Sequence, residues 1–149
     1  MILRDIVETD LAIFFEHQRE PAGNLLAAFP ARDRDTFMKH WHERVLANPT
    51  GLKKAIVEDG ELAGNIVSWD SDGHREIGYW LGLAFWGRGI ASAAIRAYIA
   101  DIEKARPLHA FVAIHNRGSI RALEKAGFER VGVQTEEDGT EMVHLELGR

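Results

Sequence analysis

The segment Ile77–Ser92, with the sequence IGYWLGLAFWGRGIAS, decides the fold. It begins as an apolar and aromatic run typical of a buried strand, turns at Gly87 and Gly89, and enters a run of helix formers. This order suits phosphate binding, because a first helical turn presents unpaired N–H groups and the positive end of the peptide dipole. The two glycines leave room for a pyrophosphate, and Arg88 adds a cation at its edge.

The alternative is an ordinary connection between a strand and a helix, since glycine turns are common. Two well-known phosphate loops do not fit this stretch. The chain has no G-x-x-x-x-G-K-[ST] motif, and the G-x-G-x-x-G pattern fails because position 92 is serine. The spacing alone therefore leaves both interpretations open.

The chain as a whole has the size and composition of one globular domain over residues 1–149. It is 46% apolar and 28% charged, which is ordinary for a single soluble core. A net charge of −5 predicts no general affinity for nucleic acid. The sequence has no cysteine, which excludes disulfides, thiolate metal sites and a cysteine nucleophile.

Targeting and membrane signals are not visible in the sequence. The N-terminus Met1–Asp5 lacks the apolar core of a signal peptide, and no apolar run approaches the roughly 20 residues that a membrane span needs. With the lack of cysteine, these features predict a cytoplasmic protein without a membrane partner.

The first half of the chain predicts one strand, two helices and a hairpin. Pro21 and Gly23 are expected to stop the first helix, and Asp59-Gly60 between apolar runs is a strong two-residue hairpin signal. A second turn is expected at Asp70–Gly73. The elements predicted here are strand Ile2–Val7, helix Leu11–Arg19, a helix from Asp33 or Asp35 to about Ala47, and strands Lys53–Glu58 and Glu61–Asp70.

The second half alternates strands and helices around the opening segment. The predicted elements are a helix from Ile90 to about Lys104, strand Leu108–Ile114, helix Ile120–Ala126, and strands Phe128–Gln134 and Met142–Leu147. A strand, a helix and a strand in sequence require a parallel pair with a right-handed crossover. The order β-α-α-β-β-β-α-β-α-β-β therefore predicts an α/β (α+β) fold, with a mixed, mostly antiparallel sheet and helices on both faces.

The glycine turn carries a family resemblance. Residues Trp86–Ala91 resemble the acyl-CoA loop of the GCN5-related N-acetyltransferases (GNAT family), usually written Q/R-x-x-G-x-G/A. Gly89 and Ala91 match this pattern, whereas Trp86 replaces the first Gln or Arg. Trp-Gly-Arg-Gly at this place is similar to the branch that contains the ribosomal-protein alanine acetyltransferases.

A second segment strengthens the resemblance. Asn116–Phe128 is similar to the family's N-x-x-S-x-x-x-x-E-K-x-G-F segment, and it follows the loop after one helix and one strand. Because two motifs match the family across residues 76–134, the chain is identified as a member of it. Residues 1–70 resemble the family only in the order of their helices and strands. The resemblance implies a parallel strand pair that splays apart.

The resemblance implies that acetyl-CoA, the co-substrate, binds where these strands part. The strand's unpaired backbone groups would bond the pantetheine arm like an added strand, and the loop would hold the pyrophosphate. The strand residues 79–81 also fit a plain core strand, which is compatible with that role. The residues implied are Tyr79, Trp80, Leu81, Gly87, Arg88, Gly89, Ile90, Ala91, Ser92, Asn116 and Ser119.

Asn116 and Ser119 each allow two interpretations. Asn116 is either a plain N-cap or, by resemblance, a ligand of the CoA arm. The family often carries a proton-donating tyrosine four residues before its Gly-Phe pair, but this chain has Leu123 there. In the ribosomal-type branch the matching serine is the proposed acid, which makes Ser119 the candidate; otherwise Ser119 caps locally or is unused.

The general base is not fixed by either motif. An attacking amine must lose a proton, and Glu76 at the start of the central strand is the leading candidate, although it equally fits a solvated strand end. Histidines on or beside strands could also serve, namely His74, His109, His115 and His144. No pair of histidines at a metal-binding spacing is accompanied by a third ligand, so no metal site is predicted. Cations that would meet CoA phosphates, or simply lie on a helix surface, are Arg117, Arg121 and Lys125.

These features predict an enzyme that moves an acetyl group from acetyl-CoA to a primary amine, a protein N-terminus or a small molecule, by direct attack. The acidic charge favours a cationic acceptor. The alternative is an acyl-CoA sensor or accessory module without turnover, since the usual tyrosine is missing. Apolar surface at Trp80, Phe85, Trp86 and the terminal strands would permit a homodimer.

Overall fold

The computed structural model describes residues 1–148, which form a seven-stranded sheet with helices on both faces. The strands are β1 (Ile2–Arg4), β2 (Leu52–Glu58), β3 (Glu61–Ser71), β4 (His74–Leu81), β5 (Leu108–Ala113), β6 (Glu129–Thr135) and β7 (Glu141–Leu147). The helices are α1 (Asp10–Arg19), α2 (Pro21–Ala27), α3 (Arg34–His40), α4 (Ile90–Asp101) and α5 (Arg117–Lys125). A π-helical turn, Trp41–Leu46, continues α3.

The sheet has the order β1-β2-β3-β4-β5-β7-β6, and its pairs are antiparallel except for β4 and β5. The predicted mixed, mostly antiparallel architecture is confirmed. The parallel pair meets only where Arg75 faces Leu108 and Glu76 faces His109. Beyond these two pairs both strands continue, but β4 and β5 no longer pair with each other. The two strands therefore diverge as a V, and its closed end lies at Glu76 and His109.

Two apolar clusters fix the helices to the two faces. Under α4 and α5, the larger cluster includes Ile66, Ile95 and Leu145, each fully buried. The other face is covered by α1 and α3, with Phe14 and Trp41 packed in the second cluster. Burial of this aliphatic and aromatic surface on both faces is what holds the mixed sheet together.

The hairpin turns follow the local chemistry of Asp-Gly pairs. Asp59 and Gly60 have φ values of 50° and 77°, and Asp72 and Gly73 have 46° and 84°. A type I′ turn requires positive φ at both central residues, and its twist matches that of the flanking strands. The predicted hairpin at Asp59-Gly60 and the second turn are therefore confirmed.

Two predictions about the N-terminal region are wrong. The first strand ends at Arg4 rather than Val7. Pro21 stops the first helix as expected, since α1 ends at Arg19, but it also begins α2, because its fixed φ and missing N–H suit a first helical position. Gly23 lies inside α2, where a Cβ would stand 3.2 Å from Cζ2 of Trp80, so this glycine allows close packing instead of ending a helix.

The remaining boundaries differ by a few residues. Asp33 caps α3, as expected, by accepting a hydrogen bond from the Thr36 N–H at 2.8 Å. α4 ends at Asp101 rather than near Lys104. None of the helices within residues 1–148 combines the length and the apolar character that crossing a membrane requires.

The apolar residues that suggested a homodimer differ in exposure. Phe85 is buried, and Trp80 and Trp86 are half-buried. Among the terminal strands, the edge strand β6 exposes Val131 and Val133. The homodimer stays a prediction, and of the residues first considered only the terminal strands offer exposed apolar surface for it.

Candidate functional site

A cavity of about 360 Å³ opens where β4 leaves β5, between α2, α4 and α5. Its volume lies in the range of small-molecule sites. All the residues predicted for cofactor binding line it except Arg88. The other lining residues are Gly23, Leu26, Ala27, Phe85, Trp86, Gly118, Arg121, Ala122 and Lys125.

The glycine loop closes one end of this cavity. Gly87 and Gly89 have φ values of 69° and 75°, and a Cβ on either residue would meet nothing within 4 Å. Backbone conformation, and not packing, therefore requires glycine here. The loop delivers the chain to the first turn of α4, whose early N–H groups have no partner within the helix.

Ser92 in that first turn has an unusual environment. Its side chain is buried and lines the cavity, yet within residues 1–148 its Oγ has no hydrogen-bond partner. A buried polar atom left without a partner costs about 1–3 kcal/mol. An oxygen-rich group entering the cavity at this turn would remove that cost.

Arg88 lies outside the cavity. Its guanidinium is 3.8 Å from the Asp59 carboxylate and 5.6 Å from the centre of the Phe85 ring. By contrast, Arg121 and Lys125 on α5 line the cavity. Of the three α5 cations considered from the sequence, Arg117 is not among the residues that line the cavity.

Across the cavity, β4 and α5 are joined by side chains. The Tyr79 hydroxyl donates to Ser119 Oγ at 2.8 Å, and the Ser119 N–H donates to Asn116 Oδ1 at 3.3 Å. Asn116 is thus an N-cap, as one interpretation predicted; the cap uses only the amide oxygen and leaves the amide N–H groups for other partners. Burial raises the pKa of Tyr79, while its hydrogen bond to Ser119 opposes this shift.

The end of β4 is anchored to α1. The Trp80 indole N–H donates to the His17 carbonyl at 3.3 Å, and the Leu83 N–H donates to Glu20 Oε1 at 3.1 Å. A Cβ at Gly82 would lie 2.5 Å from the His17 ring, so glycine permits this contact. Burial lowers the pKa of His17, which suits an imidazole packed in an apolar setting.

The wall formed by α2 was missed from the sequence. Gly23, Leu26 and Ala27 of α2 line the cavity. His115 Nε2 lies 3.0 Å from the Leu25 carbonyl and joins this wall to the segment before α5. Proline at a first helical position was the signal that could have revealed α2.

Glu76 lies at the closed end of the V and does not line the cavity. Its Oε1 is 2.8 Å from His74 Nε2, and its side chain is 18% exposed. His109 Nδ1 is 2.8 Å from His144 Nε2. The His74 and His109 rings are 4.8 Å apart, so these four residues form one group, called here the histidine–glutamate cluster. Burial, and then the neighbouring His109, lowers the pKa of His144.

A second, more open depression lies on the other side of the α2 wall. Its residues come from the end of α1, from α2 and the segment after it, and from the turn between β6 and β7. It contains exposed Leu25 and Phe29, together with Asp138 and Glu141. From the sequence, Leu25, Leu26 and Phe29 allow either core packing or the lining of a pocket, and Leu25 and Phe29 line this depression.

The part of the chain that the structure describes contains no candidate metal site. Among residues 1–148, no group of three or more His, Cys, Asp or Glu residues is placed to hold a metal ion. The histidine–glutamate cluster uses ring nitrogens for contacts within the group.

Comparisons with known proteins were made at the level of sequence and of structure. Residues 1–129 match the family model described as "Acetyltransferase (GNAT) domain". Over 105 residues the chain is 31% identical to "Putative ribosomal N-acetyltransferase YdaF" of Bacillus subtilis (strain 168). That match covers 66% of this chain and spans only 57% of the relative's length.

Two solved structures have the same fold. The aminoglycoside acetyltransferase AAC(6')-Ib in complex with coenzyme A superposes with a TM-score of 0.80 at 23% identity, over 99% of this chain and 94% of that chain. The spermidine N-acetyltransferase of Vibrio cholerae, in complex with CoA and spermine, gives a TM-score of 0.83 at 14% identity, over 99% and 94%. At such identities the likeness is one of fold.

Proposed function

The chain belongs to the acetyltransferase (GNAT) family, and from this membership we propose that it transfers an acetyl group from acetyl-CoA to a primary amine. One observation carries the proposal. A single cavity joins the open V of β4 and β5 to the glycine loop and to the unpartnered Ser92 Oγ. The neighbours that bind CoA share this fold, which supports the same co-substrate here.

The residues present fit acetyl-CoA at both ends of the cavity. Beyond Glu76 the backbone of β4 is no longer paired with β5, so residues 79–81 can bond an amide-rich chain as an added strand. The first turn of α4, with Ser92, suits a pyrophosphate. When bound, acetyl-CoA supplies an activated acetyl thioester.

Ser119 is the proposed proton donor to the sulfur that leaves. It lines the cavity in the first turn of α5, and its hydroxyl is held by Tyr79. Asn116, whose amide N–H groups are not used by its cap, is the proposed partner of the pantetheine arm. Arg121 and Lys125 are proposed to attract the phosphate groups.

Glu76 is the proposed base, acting with the histidine–glutamate cluster. The acceptor arrives as an ammonium ion and must lose a proton before it attacks. Glu76 lies at the closed end of the V, outside the cavity lining, so the proton would pass to it through water. The contact with His74 gives the carboxylate a group with which to share that proton.

The acceptor is proposed to be a cationic amine that enters from the second depression. Asp138 and Glu141 outweigh the positive charge of Arg19 there, and Leu25 and Phe29 provide exposed apolar surface. The net charge of −5 also favours a cationic acceptor. The named relatives act on different amines, an aminoglycoside and spermidine among them, so the fold alone does not select the acceptor.

The direct test is release of free CoA from acetyl-CoA with a panel of amines, using protein purified without CoA. The panel includes a polyamine, an aminoglycoside and peptides with free N-termini. Release that depends on one amine class, with the acetylated product identified by mass spectrometry, supports the proposal. Tight binding of acetyl-CoA by calorimetry without release with any amine would favour a sensor and overturn the enzyme proposal.

A further inference from the structure

Tyr79 and Ser119 form the side-chain link between β4 and α5 across the cavity. They are 40 residues apart in sequence, and the Tyr79 hydroxyl donates to Ser119 Oγ at 2.8 Å. Both residues line the cavity. The tyrosine ring packs against the larger apolar cluster, while its hydroxyl reaches the first turn of α5.

The direction of this hydrogen bond determines what Ser119 can do. A tyrosine hydroxyl has one proton to donate, and here that proton is directed to Ser119 Oγ. A serine hydroxyl that accepts such a bond keeps its own proton free for another acceptor. Ser119 therefore presents a donor to the cavity with its oxygen fixed in position.

The two hydroxyls differ in acidity, and this difference bears on which of them can supply a proton to a thiolate. A serine hydroxyl alone is a much weaker acid than a thiol, whose pKa in a cysteine side chain is about 8.5. A phenol, with an ordinary pKa of about 10, is far closer. Burial raises the pKa of Tyr79, which keeps its proton in place at neutral pH and above but makes the phenol a weaker acid; the hydrogen bond to Ser119 opposes this shift.

We propose that Tyr79 is a positioning residue that holds Ser119 and resupplies its proton during acetyl transfer, an inference that rests on the proposed function. The acceptor nitrogen attacks the acyl carbon, so that a C–N bond forms, and the proton that this nitrogen loses passes to water. As the C–S bond breaks, its electron pair stays on sulfur, which takes the Ser119 hydroxyl proton, and Ser119 Oγ takes the Tyr79 proton in the same motion. The tyrosinate then regains from water the proton that the acceptor released, which balances the step.

The chain provides a matched control for this test. Tyr98 makes the same kind of contact, its hydroxyl lying 2.7 Å from Ser68 Oγ, but it is fully buried in the core and is not among the cavity residues. Tyr79→Phe and Tyr98→Phe each remove one hydroxyl from a Tyr–Ser pair. Only the first change touches the proposed proton path.

The experiment compares kcat, KM for acetyl-CoA and pH profiles for the wild type, Tyr79→Phe, Ser119→Ala, the double variant and Tyr98→Phe. We expect Tyr79→Phe to lower kcat by about 10- to 100-fold, with KM nearly unchanged and the high-pH limb shifted. The double variant should be no slower than Ser119→Ala. Tyr98→Phe should keep kcat per folded molecule.

Two outcomes would overturn the inference. One is a Tyr79→Phe variant with wild-type kcat and an unchanged pH profile. The other is a double variant whose loss equals the product of the two single losses, since independent roles multiply. Failure of the proposed function is distinguishable, because the wild type itself would then release no CoA with any amine.

Discussion

The carbonyl oxygen of Trp80 occupies the space that a Cβ at Gly64 would need. Gly64 on β3 pairs with Leu81 on β4, and the Gly82 N–H donates to the Ala63 carbonyl at 2.9 Å. The missing side chain thus lets the end of β4 lie close to β3 at the open end of the V. We infer that this close approach helps keep the V open.

Gly64→Ala should therefore damage both stability and the cavity. The new methyl group must displace backbone, so unfolding free energy should fall by about 1–3 kcal/mol, and acetyl-CoA should bind more weakly. Gly132→Ala on β6 is the control, since a Cβ there meets nothing within 4 Å. Urea denaturation and calorimetry measure the two effects. Wild-type stability in Gly64→Ala would contradict the packing argument.

Gly89→Val tests the phosphate loop. Valine strains a backbone with φ of 75° and places a branched side chain at the cavity, so acetyl-CoA affinity should fall at least tenfold, about 1.4 kcal/mol. Gly60→Val is the matched control, because Gly60 has φ of 77° in a turn that does not line the cavity. Equal affinity losses in the two variants, measured by calorimetry, would exclude a specific role for the loop.

Asp10 should make the stability depend on pH in the acid range. Arg4 donates two hydrogen bonds to its carboxylate, at 2.8 and 3.0 Å, and the Val7 N–H donates a third at 2.9 Å. The hydrogen bonds from Arg4 are the main reason that the pKa of Asp10 lies below its ordinary value of 3.8. A depressed pKa stabilises the fold above the unfolded-state value, and this stabilisation is lost as pH falls through the folded-state pKa.

Asp10→Asn should accordingly lower the unfolding free energy by about 1–2 kcal/mol at pH 7, a range that allows for the solvent exposure of Arg4. The difference from wild type should shrink as pH falls below about 4. Glu137→Gln, at an exposed position between β6 and β7, should show no such trend. The measurement is urea denaturation across pH 3 to 7. A constant difference over that range would contradict the argument.

Local chemistry explains what the sequence predicted well. Asp59-Gly60 forms its turn, and Asn116 caps α5, because each depends on residues within three or four positions. The strand, glycine turn and helix at 77–92 likewise follow from adjacent composition. Such features need no knowledge of the rest of the fold.

Contacts between distant segments explain what the sequence did not predict. α2 packs through Gly23 against Trp80 of β4, which lies far away in the sequence. Tyr79 and Ser119 meet only because β4 and α5 line one cavity. No periodicity or motif spacing encodes such pairings, since they arise when the sheet assembles.

The placement of Glu76 at the closed end of the V gives a final prediction. If Glu76 takes the proton of the acceptor, its carboxylate is needed for turnover. Glu76→Gln should then lower kcat by about 100-fold. Acetyl-CoA affinity should hold, because Glu76 does not line the cavity.

Two further variants separate this role from a structural one. Glu129→Gln changes an exposed carboxylate on the edge strand β6 and should leave kcat unchanged. His74→Asn removes the ring that contacts Glu76 at 2.8 Å and should lower kcat less than Glu76→Gln does. If Glu76 serves only as the partner of His74, then Glu76→Gln will reduce the unfolding free energy while kcat per folded molecule stays as in the wild type. That result would exclude Glu76 as the base.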